Sequence, residues 1–111
     1  MNTPTVVPIE ANVTLATTAD IQHMCPFVNE VDNGTVRITW DADGWTLELH
    51  SLRAYLNTFH AREISHEELT DEIRAEIGSR HGINNVKVES TWRTAGMEVL
   101  CVTLPIPAAR P

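Results

Sequence analysis

Cys25 is the first residue of the sequence whose type and setting suggest chemistry. It is followed by Pro26 in a segment that precedes the first clearly alternating strand, and Asp32 lies seven residues further on. A cysteine in a loop can present its sulfur to a pocket as a nucleophile, whereas a lone cysteine is more often a small buried hydrophobic residue. Asp32 precedes Asn33 and Gly34, a combination that on its own is typical of a turn. Both interpretations of each residue stay open at this level.

A second candidate pair, His66 and Glu67, follows a helix start signal. Ser65 and Glu68 form the capping-box pattern, in which the serine hydroxyl accepts a hydrogen bond from the amide three residues on. His66 and Glu67 then lie in the first helical turn, where the helix dipole stabilises acidic side chains and is by itself enough to explain them. Glu67 is not used by the capping box, however. Its carboxylate is free to accept two parallel N–H bonds from a guanine-like edge.

Zinc-type ligands occur in the same part of the chain but without zinc-type spacing. His23, Cys25, His50 and His66 carry suitable donor atoms. Neither an HxxxH nor a CxxC pair is present, and paired ligands of that kind are the usual sequence signal of a zinc site. We therefore expect no metal. Cys101 stands among apolar residues of a predicted strand and is expected to be a buried hydrophobic residue.

The elements that must position these residues can be predicted from hydrophobic periodicity. Two segments alternate around a turn that contains Gly44, which predicts a hairpin. Apolar residues at i, i+3, i+4 and i+7 from Leu52 predict a helix, a second helix follows Ser65 and ends at Gly82, and the last third alternates again. The predicted elements are strands over 35–40 and 45–50, helices from 51 and over 65–82, and strands over 86–92 and 97–104. This order predicts an α+β fold, a ββααββ antiparallel sheet with two helices on one face, whose free edges favour pairing between subunits.

Composition limits the class of protein. The chain has 111 residues, of which 42% are hydrophobic, and 15 acidic against 8 basic residues give a net charge of −7. These values fit one globular domain, and the charge disfavours binding to nucleic acid through phosphate contacts. Two distant cysteines indicate a reducing compartment, and no apolar run is long enough for a membrane helix, so we expect a cytoplasmic protein without a membrane partner. Proline-containing ends predict an N-terminal arm over 1–20 and a C-terminal tail over 105–111, around a single domain over 21–104.

Taken in order, these pieces resemble the 7-cyano-7-deazaguanine reductase family of the queuosine pathway (QueF). The matching residues are Cys25, Pro26, Asp32, Glu48, Ser51, Leu52, Tyr55, Leu56, Phe59, His66 and Glu67. The resemblance covers residues 25–67 without a gap. It implies the tunnelling fold (T-fold), in which ββααββ units assemble into an oligomeric ring with active sites between subunits.

The resemblance also implies a role for each residue of the candidate site. Cys25 is implied to be the nucleophile that adds to the nitrile carbon of 7-cyano-7-deazaguanine to give a covalent thioimide, which suits a soft sulfur nucleophile. Asp32 is implied to be the general acid that supplies a proton to the nitrile nitrogen. His66 and Glu67 are implied to bind the deazaguanine edge.

A nicotinamide-binding motif is implied for the segment that begins at Glu48. The family pattern reads Glu-Ser-Lys-Ser-Leu-Lys, and this chain reads Glu-Leu-His-Ser-Leu-Arg. The implied cofactor is NADPH, contacted by Glu48, His50, Ser51, Leu52 and Arg53, and Glu48 and Ser51 are implied to contact the substrate as well. Arg53 keeps a cation, but His50 in place of lysine removes a permanent charge that could meet the phosphate of the cofactor.

Reduction of the nitrile to 7-aminomethyl-7-deazaguanine is the predicted activity, and three alternatives stay open. The QueF-like branch of the family keeps the cysteine, the acid and the His-Glu pair but lacks the nicotinamide motif, and it attacks the thioimide with ammonia to form an archaeosine-type formamidine on tRNA. A non-catalytic purine- or pterin-binding module on the same fold and a zinc hydrolase of the cyclohydrolase kind are the other two. The substrate is expected to be the free or nucleotide-linked base, for modification of tRNA or DNA, and the enzyme a homo-oligomer.

Overall fold

The computed structural model describes residues 3–104 as four strands and two helices. The elements are β1 (Val6–Met24), β2 (Val31–Leu47), α1 (Leu49–Asn57), α2 (His66–Gly78), β3 (Ile83–Thr94) and β4 (Met97–Val102). The strands form one antiparallel sheet in the order β1-β2-β3-β4, with α1 packed against β1 and α2 against β3 and β4. The predicted ββααββ order and α+β fold class are confirmed, and the predicted ring stays a prediction.

The core lies between the sheet and the helices. Alternate side chains of β2 point inward, because successive residues of a strand face opposite sides of the sheet. The apolar stripe of each helix covers these side chains, and burial of each large side chain contributes about 1.5–3 kcal/mol. Fully enclosed apolar residues include Val36, Ile38 and Trp40 on β2, Val88 and Trp92 on β3, and Phe59, Leu69, Ile73 and Ile77 on the helical layer.

The predicted hairpin around Gly44 and the predicted N-terminal arm are both wrong. Residues 31–47 form one long strand, β2, and residues 6–20 belong to its partner β1, so the first hairpin turns at residues 25–30 instead. Pro8 is tolerated because β1 is an edge strand and its pairing shifts register between Pro8 and Asn12. Gly44, with φ +77°, bends β2 rather than ending it.

The helix signals are confirmed with small differences. Ser65 caps α2 and accepts from the amide of Glu68, but the carboxylate of Glu68 accepts from the Ser65 hydroxyl rather than from its amide. The helix ends at Gly78, and Gly82 lies in the following turn with φ +74°, against the side chain of Trp45. The predicted tail over 105–111 lies outside the described residues. Neither described helix has the length and apolarity that a membrane crossing requires.

Candidate active site

Cys25 lies in the tight loop that joins β1 to β2. Its amide donates to the carbonyl of Glu30 at 2.8 Å, and its carbonyl accepts from the amide of Asn29 at 3.1 Å. Asn29 closes the loop in the left-handed region, with φ +52°, a conformation that asparagine tolerates better than most residues. The thiol is free and its residue is half-buried. The loop prediction for Cys25 is therefore confirmed.

Asp32 is the second residue of β2 and pairs directly with His23 of β1. Its carboxylate lies against two histidines. Oδ2 is 3.1 Å from Nε2 of His66, which is a hydrogen bond, and 3.7 Å from Nε2 of His23. The strand pairing brings His23 to this carboxylate, and the first turn of α2 brings His66.

An aromatic support holds both histidines. The ring of His66 stacks on Trp92, with centroids 4.5 Å apart and planes 3° apart, and His23 meets both rings edge-on at 4.8 and 4.7 Å. A buried polar chain fixes this arrangement: Trp92 Nε1 donates to Ser90 Oγ at 2.8 Å, the hydroxyls of Ser90 and Thr70 bond at 2.6 Å, and Thr70 donates to the carbonyl of His66 at 2.6 Å. Satisfied buried networks of this kind rigidify the groups that they join.

His23 is completely buried, and its two ring nitrogens have different surroundings. Nδ1 lies 3.2 Å from the carbonyl of Met24, whereas Nε2 has no hydrogen-bond partner among the described residues. Burial lowers the pKa of His23, and this effect exceeds the upward effects of the Met24 carbonyl and of Asp32. The lowered pKa favours the neutral form of the ring.

Cys25, Asp32, His66 and Glu67 line one cleft of about 210 Å³. The cleft is also lined by His23, Pro26, Phe27, Ser65, Thr94 and Val99. Glu67 is exposed in the first turn of α2, where its carboxylate is free for a ligand. Four residues that the sequence singled out are thus brought together from the β1–β2 loop, β2 and α2.

The segment from Glu48 has a structural role in the described chain. Glu48 caps α1 by accepting from the amides of Ser51 and His50 at 2.5 and 3.1 Å, and it also bonds the His50 ring at 2.8 Å. The amide of Ser51, followed by the His50 ring, lowers the pKa of Glu48 to about 2. Ser51 Oγ accepts from the amide of Thr5 at 2.9 Å. These contacts attach the start of β1 to the start of α1.

Leu52 and Arg53 complete that segment. Leu52 is buried in the core, and Arg53 is exposed, with its guanidinium donating to the carbonyl of Asp20 at 2.9 Å. None of the five residues of the predicted nicotinamide motif is among those that line the Cys25 cleft. Within the described residues of one chain, the motif and the thiol therefore do not share a pocket.

His23 and the support beneath it were not predicted as parts of the site. The sequence held one signal for His23, because it lies two residues before Cys25 and so on the same side of an extended chain. The roles of Thr70, Ser90 and Trp92 depend on how α2 docks on β3. No local pattern carries that information.

Comparisons with known proteins agree on one family. A family model described as QueF-like protein matches residues 31–104. Proteins named NADPH-dependent 7-cyano-7-deazaguanine reductase are similar over shorter stretches. The one from Prochlorococcus marinus is 39% identical over 49 residues, covering 44% of this chain and 35% of that protein. The one from Rhodopirellula baltica is 33% identical over 73 residues, covering 66% and 60%.

The chain therefore matches about a third of the length of the first of these relatives and less than two thirds of the second. A solved structure described as the archaeosine synthase QueF-Like in the apo form superposes with a TM-score of 0.80 at 22% identity, over 85% of this chain and 94% of that one. At this identity, the superposition establishes the fold.

Proposed function

Because the chain belongs to the family of QueF-like proteins, we propose that it forms a covalent thioimide between Cys25 and the nitrile carbon of 7-cyano-7-deazaguanine. The observation that carries this proposal is the convergence of Cys25, Asp32, His66 and Glu67 on one cleft. A nucleophile, a proton carrier and a carboxylate for a planar donor edge are the groups that this reaction needs.

The proposed step adds the thiol across the triple bond. The sulfur of Cys25 forms a bond to the nitrile carbon, one π bond between carbon and nitrogen breaks, and the nitrogen gains a proton. Asp32 takes the thiol proton and passes it to that nitrogen, so that atoms and charges balance. The hydrogen bond at 3.1 Å from His66 Nε2 orients the carboxylate for both transfers, and the stack on Trp92 holds His66 in place.

Substrate orientation is assigned to Glu67. Its carboxylate can accept the ring N–H and the exocyclic amine of the deazaguanine as two parallel bonds. The N-terminal position of Glu67 on α2 leaves it free, because Ser65 and Glu68 satisfy the cap between them. Recognition through neutral N–H donors also agrees with a net charge of −7, which does not favour phosphate contacts as the source of affinity.

We propose further that a second copy of the chain completes the site. The cleft of about 210 Å³ is smaller than the roughly 300–1,000 Å³ typical of small-molecule pockets. Phe27 at its rim is 83% exposed, and the edge strand β4 presents Met97 and Leu100, each 59% exposed. Apolar surface at a cleft and a free strand edge are the features that subunit pairing covers.

Reduction of the thioimide is the outcome that we propose first. The relatives at 33–39% identity are named NADPH-dependent. Arg53 is exposed on α1, and the guanidinium N–H groups that do not bond Asp20 can donate to a phosphate. When bound, NADPH supplies hydride, and two equivalents with two protons convert the nitrile to a primary amine. Arg53, already fixed by the Asp20 carbonyl, is the residue assigned to orient the cofactor phosphate.

Amidine formation is the second candidate, and two observations support it. The archaeosine synthase structure superposes over 94% of its own length, and Glu48 is engaged as a helix cap. In this reaction, ammonia attacks the thioimide carbon and the Cys25 thiol leaves with the proton. The two outcomes separate cleanly: nicotinamide oxidation in the presence of nitrile and NADPH supports reduction, and a formamidine product that requires ammonium supports the second candidate.

Intact-protein mass spectrometry tests the step that both outcomes share. We expect the wild type incubated with the nitrile to gain the mass of one nitrile molecule, and Cys25→Ala to gain nothing. Cys101→Ala is the matched control: Cys101 is half-buried in β4 and burial raises the pKa of its thiol, so this variant still forms the adduct. Tight binding of the nitrile without an adduct in the wild type contradicts the proposal and indicates a non-catalytic binding module.

A further inference from the structure

Three residues from separate elements, His23, Asp32 and His66, each bring a potential metal-ligating atom to one place. One potential ligand atom from each of His23, Asp32 and His66 lies within 4.8 Å of the other two. The two histidines are 0% and 8% exposed. These residues are far apart in sequence, which is why their spacing predicted no metal, but the pairing of β1 with β2 and the start of α2 bring them together.

His23 lies in the cluster as a metal-ligating histidine does. Its Nδ1 lies 3.2 Å from the carbonyl of Met24, which assigns the ring proton to Nδ1 and leaves a lone pair on Nε2. That nitrogen is buried, has no partner among the described residues and lies 3.7 Å from Asp32 Oδ2. A buried acceptor without a partner is costly, and a metal ion between Nε2 and the carboxylate satisfies it. The metal then replaces the Nε2 proton through which His66 bonds Asp32. Histidines that bind metals commonly donate their other N–H to a backbone carbonyl.

We propose that His23, Asp32 and His66 form a binding site for a divalent transition metal of the zinc class. Two imidazoles and one carboxylate are a donor set that zinc accepts. Ligand atoms about 2.0–2.1 Å from a tetrahedral zinc ion lie roughly 3.3 Å apart. The separations of Asp32 Oδ2 from the two histidine nitrogens, 3.1 and 3.7 Å, lie on either side of that value. All three residues also line the Cys25 cleft.

The site has a consequence for catalysis that rests on the proposed function. Asp32 Oδ2 cannot ligate a metal and carry the thiol proton at the same time. Metal binding and thioimide formation therefore compete, and zinc acts as an inhibitor that a chelator removes.

Zinc affinity tests the site without reference to activity. The full chain is stripped with a chelator and titrated with zinc against a chromophoric chelator, and metal content is measured after desalting. We expect one zinc per chain, and for His23→Gln at least a tenfold weaker affinity, equivalent to about 1.4 kcal/mol. His60→Gln, which removes an exposed histidine outside the cleft, keeps the wild-type affinity. Equal affinity in His23→Gln and the wild type overturns the proposal.

Two further variants test whether a loss of zinc reflects misfolding and whether the metal binds the Cys25 thiol instead. Asp32→Asn keeps the shape of a half-buried side chain and is expected to weaken zinc binding as well, while circular dichroism reports its fold. Cys25→Ala is expected to retain the metal. If zinc is lost with the Cys25 thiol and kept in His23→Gln, the metal binds a thiolate and the proposed ligand set is wrong.

The adduct measurement separates the two proposals. It is made on metal-free protein and repeated with one equivalent of zinc. One bound zinc per chain with no adduct in the metal-free wild type contradicts the proposed function and leaves the metal site standing. An adduct that forms equally fast with and without bound zinc contradicts the competition at Asp32.

Discussion

The Thr70 hydroxyl is the central link of the chain beneath the candidate site, and Thr70→Val removes it without changing the volume of the side chain. Thr70 is 2% exposed. Its hydroxyl bonds Ser90 Oγ and the His66 carbonyl, each at 2.6 Å, and Ser90 in turn accepts from Trp92. Valine keeps the branched shape and leaves the Ser90 hydroxyl proton without its acceptor, although Ser90 still accepts from Trp92.

The expected loss follows from that orphaned group. A buried donor or acceptor left unsatisfied costs about 1–3 kcal/mol, whereas the bond to the His66 carbonyl adds little, since a back-bonded threonine within a helix is near neutral. We therefore expect Thr70→Val to lower the free energy of unfolding by about 2 kcal/mol. For a domain of 111 residues, that loss lowers Tm by roughly 9 °C. Because His66 stacks on Trp92, the rate of adduct formation at Cys25 falls as well.

Thr58→Val is the matched control for Thr70→Val. The Thr58 hydroxyl also donates to a helix carbonyl, that of Tyr55 at 2.6 Å, but the residue is exposed, so the substitution stays within about 0.5 kcal/mol of the wild type. Denaturant unfolding measures stability and the time course of the mass shift measures reactivity. If Thr70→Val matches Thr58→Val in both measurements, the polar chain does not support the site and the reasoning is wrong.

Three other predictions concern single contacts. Gly34→Ala places a Cβ against the Thr91 carbonyl oxygen and 2.5 Å from the Trp92 ring, so β3 and the ring must both move. We expect a loss of about 1–3 kcal/mol of stability and slower adduct formation, and an unchanged rate contradicts the support role of Trp92. Tyr55→Phe removes a buried hydroxyl without a partner among the described residues and is expected to leave the denaturant midpoint unchanged or raise it, so a clear loss of stability shows that the hydroxyl is bonded. The pKa of Glu48 is lowered to about 2, so its contribution to stability is present above its ordinary value of 4.5 and is lost as pH falls from there toward 2. We expect the Tm of Glu48→Gln to depend less on pH between 4.5 and about 2 than the Tm of the wild type. The same pH dependence in both proteins contradicts the role of Glu48 as a helix cap.

Local signals predicted the helices and the last two strands, because each depends on neighbours in sequence. The Ser65 cap, the stripe from Leu52 and the alternation through Trp92 all correspond to observed elements. The prediction of the first hairpin was wrong because β2 continues through an irregularity at Gly44 that resembles a turn. Their partner strand is rich in threonine and contains proline, and only its place at the sheet edge makes that composition acceptable.

The same distinction between local and long-range features separates the site residues that the sequence could predict from those that it could not. Cys25 and Glu67 could be singled out from a loop and a helix start, which are local features. The contact between His23 and Asp32 depends on strand register, and the contact between Asp32 and His66 depends on where α2 docks. The register of β1 on β2 and the docking of α2 are set by long-range packing. The sequence alone therefore did not distinguish His23 from the other histidines.

Asp32 takes part in both the proposed thioimide formation and the proposed metal site, so variants of this site can contradict both proposals or only one. It bonds His66, faces the orphaned nitrogen of His23 and lines the cleft of Cys25. Asp32→Asn is expected to lose the adduct and the zinc together, because an amide neither accepts the thiol proton nor replaces an anionic ligand. In His23→Gln, by contrast, added zinc no longer slows adduct formation, whatever the basal rate of this variant, since a metal ligand is missing. If zinc slows both His23→Gln and the wild type by the same factor, the metal acts elsewhere, and Asp32 is not shared between a proton and a metal ion.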